Sequence, residues 1–456
     1  MMRKDRNSVY SKKVWIDGGF HEATVFMRNG IITHIEPGPF PAERMPHTKP
    51  IDARFHMVIP GLIDVHVHVN EPGRTHWEGF ETATKAALQS GITTIVDMPL
   101  NASPVTTSVA ALEAKKEASR DKMYTNVGFY GGLVPGNLHE IGPLIEAGVL
   151  GIKAFLTHSG IDDFPNVTEA DLEAAAPLLA QHNVPLLLHC ELDEPGTREA
   201  LKHSPRSYAA YLASRPKDWE DRAVAMAIDV CRRFCCPVHI VHVSSASALP
   251  LIAAAKAEGL PLTAETCPHY LLFNAENIAD GNTLYKCAPP IRERANNELL
   301  KAALRDGILD LIASDHSPAP PELKMLDSGN LLEAWGGIAG LQYLLPASWT
   351  ALADVLTPEQ FIPLLTEAPA RLLRLDNRKG FIRVGYDADL TLWSPGSADW
   401  KIRPVSGAVL HRHKTTPYLE HGLQDVGGDS FLAGIPITAG FHNLPKTPNG
   451  TWLFRK

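Results

Sequence analysis

Asp64, His66 and His68 stand at alternate positions of the run PGLIDVHVHVNEPGR at 60–74, and their side chains are suited to gripping a cation. The run is apolar and reads as a β-strand. Strand side chains alternate faces, so these three share one face at a spacing of ~7 Å. Two imidazoles placed this way can converge on an ion just beyond the strand end. Neutral imidazole nitrogen suits zinc, nickel, iron or cobalt rather than calcium or magnesium. Alone the pair is weak grounds, because two histidines on a half-buried strand give the same pattern. Further donors elsewhere in the chain must decide.

Such donors need a scaffold that gathers distant segments. Residues 1–57 read as short strands (VWIDG, ATVFMRNG, IITHIEPG), each closed by a glycine turn signal. Strand–helix alternation follows, with apolar strands at 57–68, 92–98, 126–133, 149–156, 185–191, 238–244, 262–266 and 308–314. The helix near Thr168 opens Thr-Glu-Ala-Asp, a cap followed by acids in the first turn. Eight such units predict an α/β protein built on a (β/α)8 barrel. Helices continue to about 375, and strands return near 383–393. The expected organisation is therefore 1–57 and 376–456 as two parts of one small β-sandwich domain, with 58–375 as the barrel between them. No solenoid period or low-complexity segment interrupts it.

A barrel of this kind works at the C-terminal ends of its strands, so polar residues there are read first. They are His66 and His68 on strand 1, Lys153 on strand 4, His189 on strand 5, His242 on strand 6 and Asp315 after strand 8. Taken singly, His189 or His242 reads as a satisfied core histidine, and Asp315 as a turn cap. Lys153, in VLGIKAFL, is harder to dismiss, because an unpaired ammonium in an apolar strand is costly unless it snorkels, loses its proton or is modified. That all five bland readings hold together at one end of one barrel is an implausible coincidence. His239, three positions before His242, is expected to face the other way. His269 and His316 have no partner in the pattern, and His56, His76, His139, His182 and His203 read as surface or loop residues.

Size and composition narrow the function. The chain has 456 residues, 45% hydrophobic and 21% charged, with a net charge of −8. That balance argues against a nucleic-acid or anionic-membrane partner, and no apolar run reaches the roughly 20 residues of a membrane span. The basic start lacks a signal peptide's apolar stretch, so a cytoplasmic protein is expected. Six cysteines without a CxxC pair read as reduced and mostly buried, whereas twenty histidines justify the search for metal ligands.

The motifs PGLIDVHVH, GIKAFL, LLLHCE, HIVHVS, ETCPHYL, KCAPPIR and SDHSP resemble the amidohydrolase superfamily, in the group of dihydroorotases, hydantoinases and allantoinases. The likeness runs from about residue 60 to 393. It implies a centre of two divalent metal ions per chain, zinc foremost, with cobalt, nickel, manganese or iron as alternatives. His66 and His68 would hold one ion and His189 and His242 the other. Lys153, carboxylated on its amine (N6-carboxylysine), would bridge them, and Asp315 would bind the first and move the proton. The implied chemistry is hydrolysis of a cyclic-amide C–N bond by activated water. The resemblance also implies the homotetramers common among such proteins.

The loop after His68 bears on which ring is opened. Dihydroorotases carry an arginine two positions after the second histidine, where it holds a carboxylate; this chain has Asn70. A neutral amide suits an uncharged, urea-like ligand better than a carboxylate. The run HVHVNEPGRTHWEGFETAT resembles allantoinases, implying allantoin as substrate and allantoate as product. Hydantoinases usually place tyrosine five positions after the bridging lysine; here His158, Ser159 and Gly160 follow. Substrate contacts are accordingly expected from Asn70, His158 and Ser159, with Gly336 and Gly337 offering backbone groups. Arg74 is a further contact that would favour an anion. Hydantoinase or dihydropyrimidinase, then dihydroorotase, remain alternatives. A Schiff-base lysine at Lys153 and a non-catalytic scaffold are readings from other classes. The segment 411–429 suggests no function.

Overall fold

The computed structural model describes residues 6–39, 50–194, 196–396, 401–402, 406–424, 430–437 and 445–455. Its centre is a ring of parallel strands: β1 (Leu62–Val67), β2 (Ile92–Asp97), β3 (Asn126–Phe129), β4 (Ile152–Phe155), β5 (Leu186–His189), β6 (Val238–Ile240), β7 (Leu262–Thr266) and β8 (Leu311–Ile312). Neighbours pair in sequence order, with Gly131–Gly132 carrying the ladder from the end of β3 to β4. A parallel bridge from Val67 to His316, with the His68 amide donating to His316 O at 2.8 Å, closes the ring. This is a (β/α)8 barrel.

The strands are short and apolar because both faces are covered. Along β5, Leu186 and Leu188 join the cluster that includes the helical residues Ala176, Leu179, Val224 and Ala227. Leu187 joins a second cluster with Tyr130, Leu150 and Val241. Two-residue alternation then carries His189 to the same side as Leu187. The helix Glu169–His182 begins with a capping box in which Thr168 and Asp171 satisfy each other's backbone amides.

The two chain ends meet in one mixed sheet. Its order is Ile435–Ile437, Ser430–Leu432, Leu390–Trp393, Met57–Pro60, Arg6–Ile16, Gly19–Arg28 and Ile31–Pro37, with Pro50–Asp52 beside Arg6–Ile16. The apolar stretch at 57–68 is thus two strands. Met57–Pro60 belongs to this outer sheet, and only from Leu62 does the chain enter the barrel. Gly61 is the joint: a Cβ there would lie 2.2 Å from Thr93 Oγ1.

The late segment departs from the small sheet. Residues 410–416 lie along the barrel, where Arg412 Nε donates to Glu78 O at 2.8 Å and Thr416 Oγ1 to Ala339 O at 2.7 Å. Positions 425–429 of the unexplained stretch lie outside the described residues. Trp452–Leu453 pairs in parallel with β3, which adds the tail to the barrel sheet. All six cysteines are free, five of them buried. Among the described residues no helix is long and apolar enough to cross a membrane.

Candidate active site

The C-terminal mouth of the barrel gathers the polar residues that the strand ends carry. Asp315 Oδ1 lies 3.2 Å from His66 Nε2 and 3.5 Å from His68 Nε2, and all three residues are buried. The His242 ring stands 5.4 Å from that of His66 and 4.6 Å from that of His189. His189 Nδ1 approaches His242 Nε2 to 3.0 Å. Lys153 is fully buried, with Nζ 4.9 Å from the centre of the Phe155 ring, and that ring stacks on His189 at 4.5 Å.

Burial sets the charge states. It holds the His68 imidazole down at about 4 and pushes His189 and His242 below their usual value, so these rings are neutral near pH 7. It pulls the Lys153 ammonium down to about 8. Burial works against ionisation of Asp315 too, but His66 and the hydrogen bond with His68 outweigh it and keep the carboxylate charged. Within the expected ligand set, Lys153 Nζ and His242 Nδ1 are buried without a hydrogen-bond partner. Left-handed backbone at His242 (φ 40°) and Asp315 (φ 45°) marks strain at the same mouth.

Neutral imidazoles, a carboxylate and an unpartnered amine form a donor set that fits divalent cations. His66, His68 and Asp315 each offer one atom, all within 4.8 Å of one another. Cys267 and His269 form a second such group with Asp315. His269, expected to lack a partner, is buried with neither ring nitrogen hydrogen-bonded.

The groups that brace these rings carry no local signal in the sequence. Glu265 on β7 takes His66 Nδ1 at 2.5 Å on one oxygen and His239 Nε2 at 3.0 Å on the other. Burial opposes ionisation of Glu265, but the two imidazoles hold it at about 2. His239 therefore does not point away from the site as strand alternation suggested. The ladder ends at Ile240, and the left-handed turn at His242 breaks the alternation between them. Glu191, two positions after His189, accepts from its Nε2 at 2.8 Å and forms a two-point pair with Arg215. Asp64, the third member of the opening motif, points its Oδ1 at the amides of His66 and Ser314, 3.1 Å each, and so ties the end of β1 to the turn after β8.

Above the cluster lies a cavity of about 300 Å³, lined by His66, His68, His189, His242 and Asp315 among others. His158, Ser159 and Gly336 also line it. His158 is half exposed, with Nδ1 accepting from the Gly160 amide at 3.1 Å, and Ser159 Oγ donates to Phe164 O at 2.6 Å. Asn70 is fully buried and off the lining, its amide nitrogen 3.3 Å from Pro318 O and its carbonyl oxygen without a partner. Arg74 is also off the lining; its guanidinium donates to Asn101 O at 3.0 Å and lies over Trp77 at 5.6 Å. Gly337 sits just behind Gly336, its carbonyl accepting from Lys324 Nζ at 2.8 Å. Asn101, on the wall beside His68, gave no signal in sequence spacing.

Residues 57–416 match the model of the Amidohydrolase family. The chain belongs to the amidohydrolase family. This amidohydrolase is 43% identical to an allantoinase of Streptomyces avermitilis over 430 residues, covering 94% of each chain. It is 39% identical to an allantoinase of Saccharomyces cerevisiae, covering 98% of each. Among solved structures, L-hydantoinase from Arthrobacter aurescens superposes with a TM-score of 0.91 at 27% identity, covering 99% of this chain and 100% of that one. Dihydropyrimidinase from Brevibacillus agri, at 22% identity and a TM-score of 0.88, shares the fold.

Proposed function

We infer that this amidohydrolase is an allantoinase, which adds water across a cyclic-amide C–N bond of allantoin to give allantoate. The observation that carries the reading is near-full-length identity of 39–43% to allantoinases from a bacterium and a yeast, against 27% to the hydantoinase of the same fold. The mouth of the barrel agrees with it, since a cavity of about 300 Å³ suits a small ring.

His66 and His68 would hold one divalent cation and His189 and His242 a second, zinc foremost, with Asp315 on the first. Bound cations of this kind lower the pKa of a shared water and polarise an amide carbonyl. Lys153 is prepared for its part by burial. Its amine, part neutral near pH 8, forms an N–C bond to carbon dioxide and releases a proton, which turns a repelling cation into an anion with two oxygens. Asp315 accepts the proton of the attacking water and returns it to the departing ring nitrogen. Glu265 and Glu191 hold the His66 and His189 rings at fixed angles. His158, Ser159, Gly336 and Gly337 face or back the ring. Asn70 supports the wall through its amide nitrogen, which donates to Pro318 O, and Arg74 fixes the loop above. The working form is a cytoplasmic homotetramer, which sedimentation of the purified protein tests.

The deciding experiment assays metal-loaded protein on allantoin, hydantoin, dihydrouracil and dihydroorotate, with elemental analysis of the same sample. Allantoin as best substrate with about two ions per chain is expected. Preference for dihydrouracil would transfer the chain to the dihydropyrimidinases.

A further inference from the structure

Besides the convergent histidines, the cavity wall carries three basic side chains, Arg198, Arg215 and Lys286. Two are already committed. Arg215 forms its two-point pair with Glu191, and Arg198 lies 3.2 Å from Asp193. Lys286 differs. Burial first, then the guanidiniums of Arg215 and Arg198, pull its ammonium down to about 7. Lys324 adds to the repulsion, and among the described residues no carboxylate forms an ion pair with it. Its Nζ donates to two backbone carbonyls, Leu332 O at 3.3 Å and Ala334 O, and the Tyr211 ring lies 5.5 Å away. In its protonated form the side chain has three N–H donors, so one is unspent. Yet Lys286 is only 9% exposed, and the wall there carries Tyr211, Ala288, Leu332, Ala334 and the exposed Glu333, which forms no ion pair with it. A charge there without a counter-ion is expensive, and a ligand oxygen that accepts the third N–H favours the protonated form.

This step rests on the allantoin reading. Allantoin is a hydantoin ring that also carries a neutral ureido arm. With one ring carbonyl turned to the histidine cluster, the carbonyl oxygen of the arm needs a donor elsewhere on the wall. We propose that Lys286 forms the subsite for that arm, donating its unspent N–H to the ureido carbonyl oxygen and so selecting a ureido-bearing ring over a bare one. A charge-assisted hydrogen bond of this kind discriminates against ligands that lack the acceptor, because the donor is then left buried and unpaired.

Lys286 also holds the loop at 332–334, so a loop effect must be separated from a contact effect. Lys324 supplies the control. Its Nζ anchors the same loop through Trp335 O at 3.0 Å and Gly337 O at 2.8 Å, and holds the Lys286 backbone through its carbonyl at 3.2 Å. It does not line the cavity, so its loss disturbs loop and backbone while leaving the Lys286 amine in place. The test uses full-length, metal-loaded protein and compares Lys286→Met and Lys324→Met. It reads KM and kcat for allantoin, and inhibition by hydantoin, the ring without the arm. Lys286→Met is expected to raise the KM for allantoin about 10- to 100-fold, with kcat nearly kept and hydantoin inhibition unchanged. Lys324→Met is expected to move both ligands together. An unchanged KM for allantoin in Lys286→Met, or equal weakening of both ligands, overturns the subsite. If Lys286→Met does not fold, Lys286→Gln is read by the same criteria. Failure of the wild-type protein to turn over allantoin would instead overturn the allantoinase reading, a result distinct from either.

Discussion

Glu265 bridges two histidines from different strands, holding His66 Nδ1 at 2.5 Å and His239 Nε2 at 3.0 Å with its two oxygens. The first bond fixes which nitrogen of His66 faces Asp315. Glu265→Gln keeps the shape but offers only one acceptor oxygen where two imidazoles now find one each. Metal affinity is expected to fall about 10- to 100-fold while the fold persists. Competition with a graded chelator, read alongside circular dichroism, measures both.

Lys153 and Asp315 are expected to fail differently. Lys153→Ala removes the amine that would become the bridging anion, so metal content and activity should fall together, with partial recovery on adding short carboxylic acids. Asp315→Asn should retain most of the metal held by the histidines and lose about 10²- to 10⁴-fold in kcat. Elemental analysis beside kinetics separates the two. Full activity in Lys153→Ala would show the bridge to be misassigned.

Gly337 has no room for a side chain. A Cβ there would lie 2.4 Å from Ser317 O and 2.6 Å from Ser317 Oγ. Ser317 lines the cavity, so Gly337→Ala must move the wall itself. A loss of about 1–3 kcal/mol in thermal stability is expected, with a raised KM.

Acid should loosen the protein through Glu191. Burial alone would raise its carboxyl, but Arg215 and His189 overcome this and lower it from 4.5 to about 2. A carboxylate depressed in the folded state adds stability that is whole above the unfolded value, near 4.5, and is lost as pH falls toward 2. Metal-free protein should therefore melt progressively earlier across that window. Glu191→Gln should be less stable at neutral pH and show a flatter decline, as calorimetry at a series of pH values would record.

How much of this was legible in the sequence depended on whether its signal was local. The spacing of His66 and His68 on a strand could be read directly, and so could Lys153, because a charge in an apolar strand is conspicuous. Glu265 could not, for its partner His66 is 199 residues distant and nothing in LTAET distinguishes a brace from a solvated acid. Arg74 and Asn70 were read by nearness to His68 along the chain, but neither lines the cavity; Arg74 holds neighbouring loop carbonyls and Asn70 sits against Pro318. The 57–68 stretch looked like one strand because both halves are apolar; only the pairing of Met57–Pro60 with Leu390–Trp393, and of Leu62–Val67 with β2, reveals that Gly61 joins two sheets. Trp452–Leu453 is too short to carry a periodic signal, and only its pairing with β3 defines it.

The sheet that joins the termini also orders events during synthesis. Asn7 donates to Gly434 O at 2.7 Å across 427 residues, and Leu390–Trp393 lies between Met57–Pro60 and Ser430–Leu432. The first strands made thus leave the ribosome with bare edges and wait for the last ones before the sheet is whole. A nascent chain in that state is exposed to edge-to-edge association, and one cut short near 390 keeps the exposure permanently.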